Sequence, residues 1–384
     1  MSSFVFETAP RIVCEQGGVK RLGEIATGLG IRRLFLVTDA GLVQAGLVEG
    51  ARASLAAAGI ATTVFSDVLA DPPQTSVLAA VDAAQRAQCD GVVGFGGGSS
   101  LDTAKLVALL VRTPQALPEI YGIGLARGPR LPLIQVPTTA GTGSEVTPIS
   151  ILTTPSSEKK GVVSPLLLPD VALLDSLLTL GLPPRVTAMT GIDAMVHAIE
   201  SYTTRLKQNP LSEALALKAV ALLYDNIRRV MADGRDAQAR EAMLLGSLFA
   251  GMAFANAPVG AVHALAYPLG GQYHLPHGLT NSLVLLPVLE FNLDSARARY
   301  ADLGRAMLPG QSAAGDTAAA DAFVNAMRQL VAQMPYEQSL RVAGVPQHEL
   351  PMLATEAMKV QRLLVNNPRD VNHEDALAIY RAAY

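Results

Sequence analysis

The chain has 384 residues, half of them apolar, with 33 glycines, 24 prolines and a mean hydropathy of +0.30. This length fits about two domains with sizeable cores, and the composition excludes a disordered or collagen-like chain. The 30 basic and 33 acidic residues give a formal charge of −3, so the charge favours neither nucleic acid nor an anionic membrane as a partner.

The cysteines and the N-terminus indicate the compartment. The two cysteines, Cys14 and Cys89, cannot form a disulfide framework, which favours a reducing compartment. The N-terminal sequence lacks the basic and apolar regions of a signal peptide, and no apolar run reaches the ~20 residues of a membrane helix. We therefore expect a cytoplasmic protein without a membrane or nucleic-acid partner.

Between residues 30 and 136, short apolar runs alternate with helical patterns. Strands are predicted at Arg33–Thr38, Ile60–Phe65, Gly91–Phe95 and Leu131–Val136. Nearly continuous apolar strands separated by helices predict a parallel sheet covered on both faces. Residues 4–15 are predicted to add an antiparallel strand, and residues 41–58 to form a helix.

After Asp175 the strand patterns stop. Helices are predicted at residues 185–203, 210–233, 237–255, 259–269 and 278–293, with about four more before the C-terminus. The small residues between Gln311 and Ala320 predict a loop. The sequence thus predicts an N-terminal α/β domain in residues 1–180 and an all-helical domain in residues 181–384.

Two glycine-rich segments each follow a predicted strand. In Gly94–Lys105 the glycines allow a phosphate to approach the backbone closely, and the helix that follows presents free N–H groups to an anion. Pro137–Glu145 combines glycines with hydroxyls. A tight turn and a helix cap are the structural alternatives. The alternative for Asp102 is that it merely stabilises the N-terminus of its helix. Two such loops after neighbouring strands favour a nucleotide site.

Asp39 lies at the end of the first predicted strand of the sheet, where open α/β sheets bind ligands. A carboxylate there can accept hydrogen bonds from a ribose 2′-hydroxyl and repel a 2′-phosphate. An ordinary turn aspartate is the alternative.

Four of the six histidines, His197, His263, His274 and His277, fall in one part of the helical region. Asp193 precedes His197 by four residues, so both side chains project from one helix face. A single buried histidine usually belongs to the core, but four near a carboxylate favour a metal site. One oxygen and several nitrogen ligands suit Fe²⁺ or Zn²⁺.

Together these motifs resemble the iron-containing (group III) alcohol dehydrogenases. The resemblance rests on four segments in order and runs almost the full length, to Asn366–Arg369. The segments are Gly96–Ser99 with Asp102 and Lys105, Pro137–Thr147, Gly191–His197, and His263 followed by Pro276–Gly278.

The resemblance implies a dehydroquinate synthase-like fold, with the active site in a cleft between a dinucleotide-binding domain and a helical domain. It also implies NAD, Fe²⁺ (with Zn²⁺ possible) and a homodimer or higher homo-oligomer. By their motif positions, the metal ligands would be Asp193, His197, His263 and His277. The cofactor contacts would be Asp39, Gly96, Gly97, Gly98, Ser99, Asp102, Thr138, Thr139, Thr142, Ser144 and Lys159. The neighbouring Lys160 is the alternative to Lys159 for the family's cofactor lysine.

One position departs from the family pattern. Many members have a histidine four residues after the third metal ligand, and this chain has Tyr267 there. That histidine is often credited with proton relay. We predict that His274, three residues before His277, takes part in the relay with Tyr267; a surface histidine with water as the proton carrier is the alternative.

The predicted function is reversible hydride transfer between NAD(H) and a small alcohol, aldehyde or ketone, with a metal polarising the substrate oxygen. The alternative within the related enzymes is a lyase or cyclase of the dehydroquinate synthase type. Its polyanionic substrate would need lysines and arginines, whereas the helical stretch around residues 244–254 is apolar. The third hypothesis is a non-catalytic nucleotide-binding or interaction protein that keeps the fold, and the complete set of four ligands argues against it.

Overall fold

The computed structural model describes residues 3–156, 158–311 and 313–384. These residues group into two compact units. One unit is Glu7–Gly181, and the other is Leu182–Tyr384 together with residues 3–6.

The first unit contains all of the strands of the described chain. They are β1 (Ile12–Cys14), β2 (Arg33–Val37), β3 (Ala61–Phe65), β4 (Gly91–Gly96), β5 (Gly122–Ile123), β6 (Leu133–Pro137), β7 (Ile149–Thr153), β8 (Lys159–Val163) and β9 (Val171–Leu174). The α-helices of this unit are α1 (Leu22–Gly28), α2 (Ala40–Gln44), α3 (Glu49–Ala57), α4 (Gln74–Arg86), α5 (Gly98–Arg112) and α6 (Leu117–Ile120).

Six strands form the main sheet in the order β1-β9-β6-β4-β2-β3. Every neighbouring pair is parallel, which confirms the predicted parallel sheet. The expected antiparallel strand in residues 4–15 is wrong, since Ile12–Cys14 pairs in parallel with β9. Because β9 lies far away in the chain, a crossover rather than a hairpin joins the two strands.

Side chains of the central strands β9, β6, β4 and β2 are buried on both faces of the main sheet. In β2 and β4, Phe35 and Val92 pack in one apolar cluster with α4 and α5. Their neighbours Leu36 and Val93 pack in a second cluster with α1 and α3. Successive strand residues point to opposite faces, so a strand covered on both sides reads as a continuous apolar run. This is why the sequence predicted these strands well.

A smaller sheet has the order β5-β8-β7. Its antiparallel pair β7–β8 was not predicted from the sequence. Buried and half-buried residues alternate along β7, as expected for a strand with one covered face, and this signal is weaker than a continuous apolar run.

One helix predicted in this unit is two helices in the structure. Residues 41–58 form two helices, α2 and α3, instead of one. Gly46 between them has φ 72°, a left-handed conformation that ends a helix and that glycine adopts without strain.

The second unit is helical. Its helices are α7 (Pro184–Thr203), α8 (Pro210–Ala232), α9 (Ala237–Asn256), α10 (Ala261–Tyr273), α11 (His277–Met307), α12 (Asp316–Val331), α13 (Leu350–Ala357), α14 (Gln361–Leu364) and α15 (His373–Ala382). The predicted loop between Gln311 and Ala320 is only partly correct, because α12 begins at Asp316. Ser312 lies outside the described residues.

The parallel sheet of the first unit and the helices of the second confirm the predicted fold class, an α/β domain followed by a helical domain.

Within the described ranges, no single helix is long and apolar enough to cross a membrane. Only α9 and α10 taken together, with a bend of 103° between them, have the necessary length and composition.

Candidate functional site

Helix α7 supplies one face of a polar cluster in the helical unit. It begins with a proline in its first turn and is buried along almost its whole length. Asp193, His197 and Glu200 occupy positions i, i+4 and i+7, which lie on one face of a helix. A carboxylate buried in such a helix needs a polar partner, so these three side chains mark the face on which α7 makes polar contacts.

Two further histidines reach this face from the first turns of other helices. His263 is the third residue of α10 and His277 is the first of α11. The Nε2 atoms of His263 and His277 lie 3.9 and 3.8 Å from Oδ1 of Asp193. One donor atom from each of these residues lies within 4.8 Å of the other two.

This donor set fits a divalent transition metal. Carboxylate oxygen and imidazole nitrogen bind iron or zinc at about 2.0–2.2 Å, so a single ion can contact atoms that are 3.8–3.9 Å apart. Asp193 and His263 are buried, whereas the side chain of His277 is 36% exposed.

Asp193 is the anionic residue among these three donors. Burial disfavours its charged form, but the neighbouring histidines and the amide of Asn281 outweigh that effect. The pKa of Asp193 therefore lies below its ordinary value, and the carboxylate remains ionised at neutral pH.

His197, the fourth predicted ligand, is not among the residues whose donor atoms lie within 4.8 Å of one another, but it lies close enough to Asp193 to lower the pKa of that carboxyl. Its ring stacks on His263 with 4.7 Å between ring centroids, and on Phe254 with 4.2 Å. An apolar aromatic surface therefore covers one side of the histidine cluster.

Two polar residues at this site were not predicted from the sequence. Nδ2 of Asn281 donates to Oδ1 of Asp193 at 2.6 Å and lies 3.2 Å from Nε2 of both His263 and His277. Glu200 contacts the opposite ring nitrogen of His263. The i+7 spacing of Glu200 from Asp193 was a usable signal, and so was the i+4 spacing of Asn281 from His277.

The two predicted relay residues lie in different surroundings. The ring of Tyr267 is half-buried, with its centroid 6.1 Å from that of His277. His274 is exposed and forms the C-cap of α10 in a left-handed conformation with φ 54°. Tyr267 thus borders the histidine cluster, and His274 lies at the surface where α10 ends.

The predicted cofactor loops of the α/β unit follow three neighbouring strands. Asp39 follows β2, the glycine-rich turn follows β4, and Pro137 ends β6. Because β6, β4 and β2 are adjacent and parallel, the three segments emerge at the same edge of the sheet. Ligands of open α/β sheets bind at this carboxyl edge.

At the end of β4 and in the turn that follows, two of three consecutive glycines allow close packing. Gly96 has φ 152°, and a Cβ there would lie 2.7 Å from Oγ of Ser100. At Gly98 a Cβ would lie 2.7 Å from Cγ2 of Thr142. Gly97 caps α5. The two predicted loops therefore touch each other, and a larger side chain would separate them.

Hydrogen bonds between polar side chains also connect these two loops. Oγ of Ser144 donates to Oδ1 of Asp102 at 2.6 Å, and Nζ of Lys105 donates to Ser144 at 2.7 Å. Lys105 also donates to Thr147 and to the carbonyl of Ile149. Asp102 and Ser144, both predicted to contact the cofactor, thus form a link between the loops.

Glu145 is buried beside this network. Its Oε1 has no hydrogen-bond partner among the residues that the structure describes. Burial raises the pKa of Glu145 to about 7, although its backbone hydrogen bond and Lys105 act in the opposite direction. Burial also lowers the pKa of Lys105.

The remaining predicted cofactor residues differ in accessibility. Thr138 is buried, whereas Ser99, Thr139 and Thr142 are half-buried. The carboxylate of Asp39 accepts the N–H of Leu42 at 3.0 Å and caps α2. Lys159 forms an ion pair with Asp71, whose N–H donates to Oγ of Ser99.

Comparison with known proteins identifies a family for both halves of the chain. The family described as iron-containing alcohol dehydrogenase matches residues 9–176. The C-terminal domain of the Fe-containing alcohol dehydrogenase family matches residues 187–384.

Individual relatives match over nearly the full length. The probable alcohol dehydrogenase EutG of Escherichia coli (strain K12) is 40% identical over 380 residues, which cover 98% of this chain and 94% of that protein. The crystal structure of a 1,3-propanediol oxidoreductase has a TM-score of 0.96 at 35% identity, covering 100% of both chains. Sulfoacetaldehyde reductase from Bifidobacterium kashiwanohense in complex with NAD⁺ has a TM-score of 0.90 at 28% identity, covering 100% of this chain and 99% of that one.

Proposed function

The chain belongs to the iron-containing alcohol dehydrogenase family. From this premise we propose that it interconverts a small alcohol and its aldehyde or ketone. We propose that the cofactor is NAD rather than NADP. The protein is a metal-dependent oxidoreductase. We assign dinucleotide binding to residues 1–180 and metal binding to residues 181–384.

Binding of NAD is supported by three loops at one edge of the parallel sheet. Their glycines and hydroxyls suit a pyrophosphate, and the carboxylate of Asp39 suits an unmodified ribose. The NAD⁺ complex of the related sulfoacetaldehyde reductase supports the same cofactor. When bound, the nicotinamide supplies the hydride acceptor or donor.

The observation that carries the proposal is the convergence of Asp193, His263 and His277 on one point. We propose that these residues and His197 hold the ion. The family favours Fe²⁺, and the oxygen and nitrogen donors also suit Zn²⁺. When bound, the metal supplies Lewis-acid chemistry at the substrate oxygen.

The surrounding side chains would orient the substrate and carry its proton. The ring of Phe254 against His197 presents an apolar surface that suits a small, weakly charged substrate. Tyr267 lies next to the partly exposed His277, where its hydroxyl can pass a proton. We propose that His274 completes the relay at the surface.

The test measures metal content and turnover in the same samples. The purified protein, with Fe²⁺ or Zn²⁺ restored, should oxidise NADH with members of a panel of aldehydes and ketones. His263→Ala and His277→Ala should each lose most of the metal and nearly all turnover. His348→Ala, which changes an exposed histidine, is the control. Full activity of either ligand variant in chelator-treated buffer would contradict the metal mechanism.

The oligomeric state and the cellular location are also proposed. We propose a homodimer or higher homo-oligomer, on the strength of family membership alone, which light scattering after gel filtration tests. A cytoplasmic location is supported by the two cysteines, which form no disulfide in the described structure. Cell fractionation tests the location.

A further inference from the structure

Glu200 makes two hydrogen bonds at the start of helix α10. Its Oε2 lies 2.6 Å from Nδ1 of His263. Its Oε1 accepts the backbone N–H of Val262 at 2.7 Å. The side chain is only 6% exposed, so these two contacts serve a carboxylate that is almost completely removed from bulk solvent.

We propose that Glu200 is a positioning residue for the metal site, one that fixes the tautomer and the ring orientation of His263. An ionised carboxylate can only accept hydrogen bonds. When His263 is neutral, as an imidazole that binds a metal must be, its proton therefore resides on Nδ1 and Nε2 keeps its lone pair. That lone pair is on the side of Asp193 and His277. This inference rests on the proposed function, because it assigns the role of Glu200 toward the proposed metal.

The turn before α10 also makes contacts that do not involve His263. Nδ2 of Asn366 donates to the carbonyl of Val259 at 2.8 Å. At Gly260, a Cβ would lie 3.4 Å from both Oε1 of Glu200 and Cα of Asn367. The turn before α10 is therefore packed closely between the carboxylate and the Asn366–Asn367 segment. This gives a structural role to a C-terminal motif that the proposed chemistry does not use.

The geometry makes Glu200→Gln a sharp test, because glutamine has the same shape as glutamate but only one acceptor oxygen. The native carboxylate accepts from two donors, Nδ1–H of His263 and N–H of Val262. If the amide NH₂ faces His263, the ring must carry its proton on Nε2, which then cannot bind a metal. If the NH₂ faces Val262, two donors oppose each other at the helix start.

The experiment titrates chelator-stripped protein with Zn²⁺ alone, in competition with a zinc indicator. Glu200→Gln should weaken zinc binding about 10- to 100-fold, as is usual for partners of metal-binding histidines. The matched control is Asn366→Ala, which removes a hydrogen bond from the same turn but leaves the Nδ1 partner of His263. It should lower the melting temperature while keeping zinc affinity within about threefold of the wild type.

A spectroscopic readout separates positioning from general support of the fold. In ¹⁵N-histidine NMR spectra of the stripped wild-type protein, His263 should carry its proton on Nδ1, with its signal assigned by its loss in His263→Ala. The Glu200→Gln variant should shift that population toward the Nε2–H tautomer, and Asn366→Ala should not.

The outcomes distinguish this inference from the proposed function. A wild-type protein that binds no zinc and shows no turnover would overturn the proposed function. Tight zinc binding by both the wild type and Glu200→Gln would overturn only the role of Glu200. An Nε2–H tautomer in the stripped wild-type protein would also overturn that role, and this measurement remains decisive even if the variant fails to fold.

Discussion

Nδ2 of Asn281 lies 2.6 Å from Oδ1 of Asp193, across 88 residues of sequence. The amide thus touches the carboxylate that the neighbouring histidines surround. A hydrogen bond to a charged, buried acceptor contributes about 1.5–3 kcal/mol, so Asn281 should hold Asp193 in its ionised form and in one orientation.

We therefore expect Asn281→Ala to weaken zinc binding by roughly tenfold or more at neutral pH. Metal titration of the stripped protein measures this. The control is Asn226→Ala, which removes another largely buried asparagine of the helical unit whose amide donates to the carbonyl of Leu222. Equal zinc affinities for the wild type and Asn281→Ala would show that Asp193 needs no such support.

The second prediction concerns Gly278, next to His277. A Cβ at Gly278 would lie 2.4 Å from the carbonyl oxygen of Met189 in α7, and backbone atoms cannot move cheaply. Gly278→Ala should push the first turn of α11 away from α7, destabilise the protein by about 1–3 kcal/mol and reduce metal content.

Thermal unfolding and metal analysis check this result. Gly315→Ala is the matched control, because a Cβ at Gly315 would meet nothing within 4 Å. If Gly278→Ala retained full metal content and its melting temperature, the close approach of the two helices would have no consequence for the site.

The third prediction uses pH. Because the pKa of Glu145 is about 7 in the folded protein and near 4.3 in an unfolded chain, folding favours its protonated form. This stabilisation is complete below the unfolded pKa and is lost as the pH rises through about 7. Across that range the free energy of unfolding should fall by on the order of 3 kcal/mol through this group.

Glu145→Gln should remove that loss, so the variant should match the wild type near pH 4 and be more stable near pH 8. The expected gain near pH 8 is about 1–3 kcal/mol, reduced by the lost attraction to Lys105. Denaturant unfolding of the metal-stripped proteins measures it. Glu119→Gln changes an exposed carboxylate and should retain the wild-type pH dependence, as Glu145→Gln should not.

The fourth prediction separates two roles of Asp39. Its carboxylate caps α2, and we propose that it also repels the 2′-phosphate of NADP. Asparagine is an equally good N-cap, so Asp39→Asn should keep the stability and lower the KM for NADP. Asp39→Gly should act similarly at a cost of a few tenths of a kcal/mol. Steady-state kinetics with both cofactors test this, and equal kcat/KM for NAD and NADP in the wild type would contradict it.

The fifth prediction concerns His274. Because this residue has φ 54°, asparagine, which tolerates the left-handed region, is a better replacement than alanine. His274→Asn should lower kcat for alcohol oxidation about 10- to 100-fold and remove the acidic limb of the kcat–pH profile, with metal content unchanged. His348→Asn is the control. An unaltered rate and profile would leave water as the proton carrier.

The sequence predicted elements well where one local pattern determined them. Strands such as Arg33–Val37 are buried on both faces, so their apolar runs are continuous. The strands β7 and β8 were not predicted. Only one face of β7 is covered, so its sequence lacks a continuous apolar run. The break between α2 and α3 depends on a single left-handed glycine, Gly46.

Contacts within the candidate site were harder to predict because they join distant parts of the chain. The spacing of Asp193 and His197 along one helix is visible in the sequence. The partnership of Glu200 with His263 spans 63 residues, and that of Asn281 with Asp193 spans 88. Helical periodicity indicates which residues share a face, but only tertiary packing determines which faces meet.

The link formed by Asp102, Ser144 and Lys105 has a consequence for how a ligand would bind at the sheet edge. Most flexible glycine loops lose conformational entropy when they close on a phosphate, and this loss weakens binding. Here one buried and one partly buried hydrogen bond already restrict both loops in the protein alone. Much of that entropy is therefore lost during folding, so a dinucleotide would meet a pre-organised surface and bind without a separate step of loop closure.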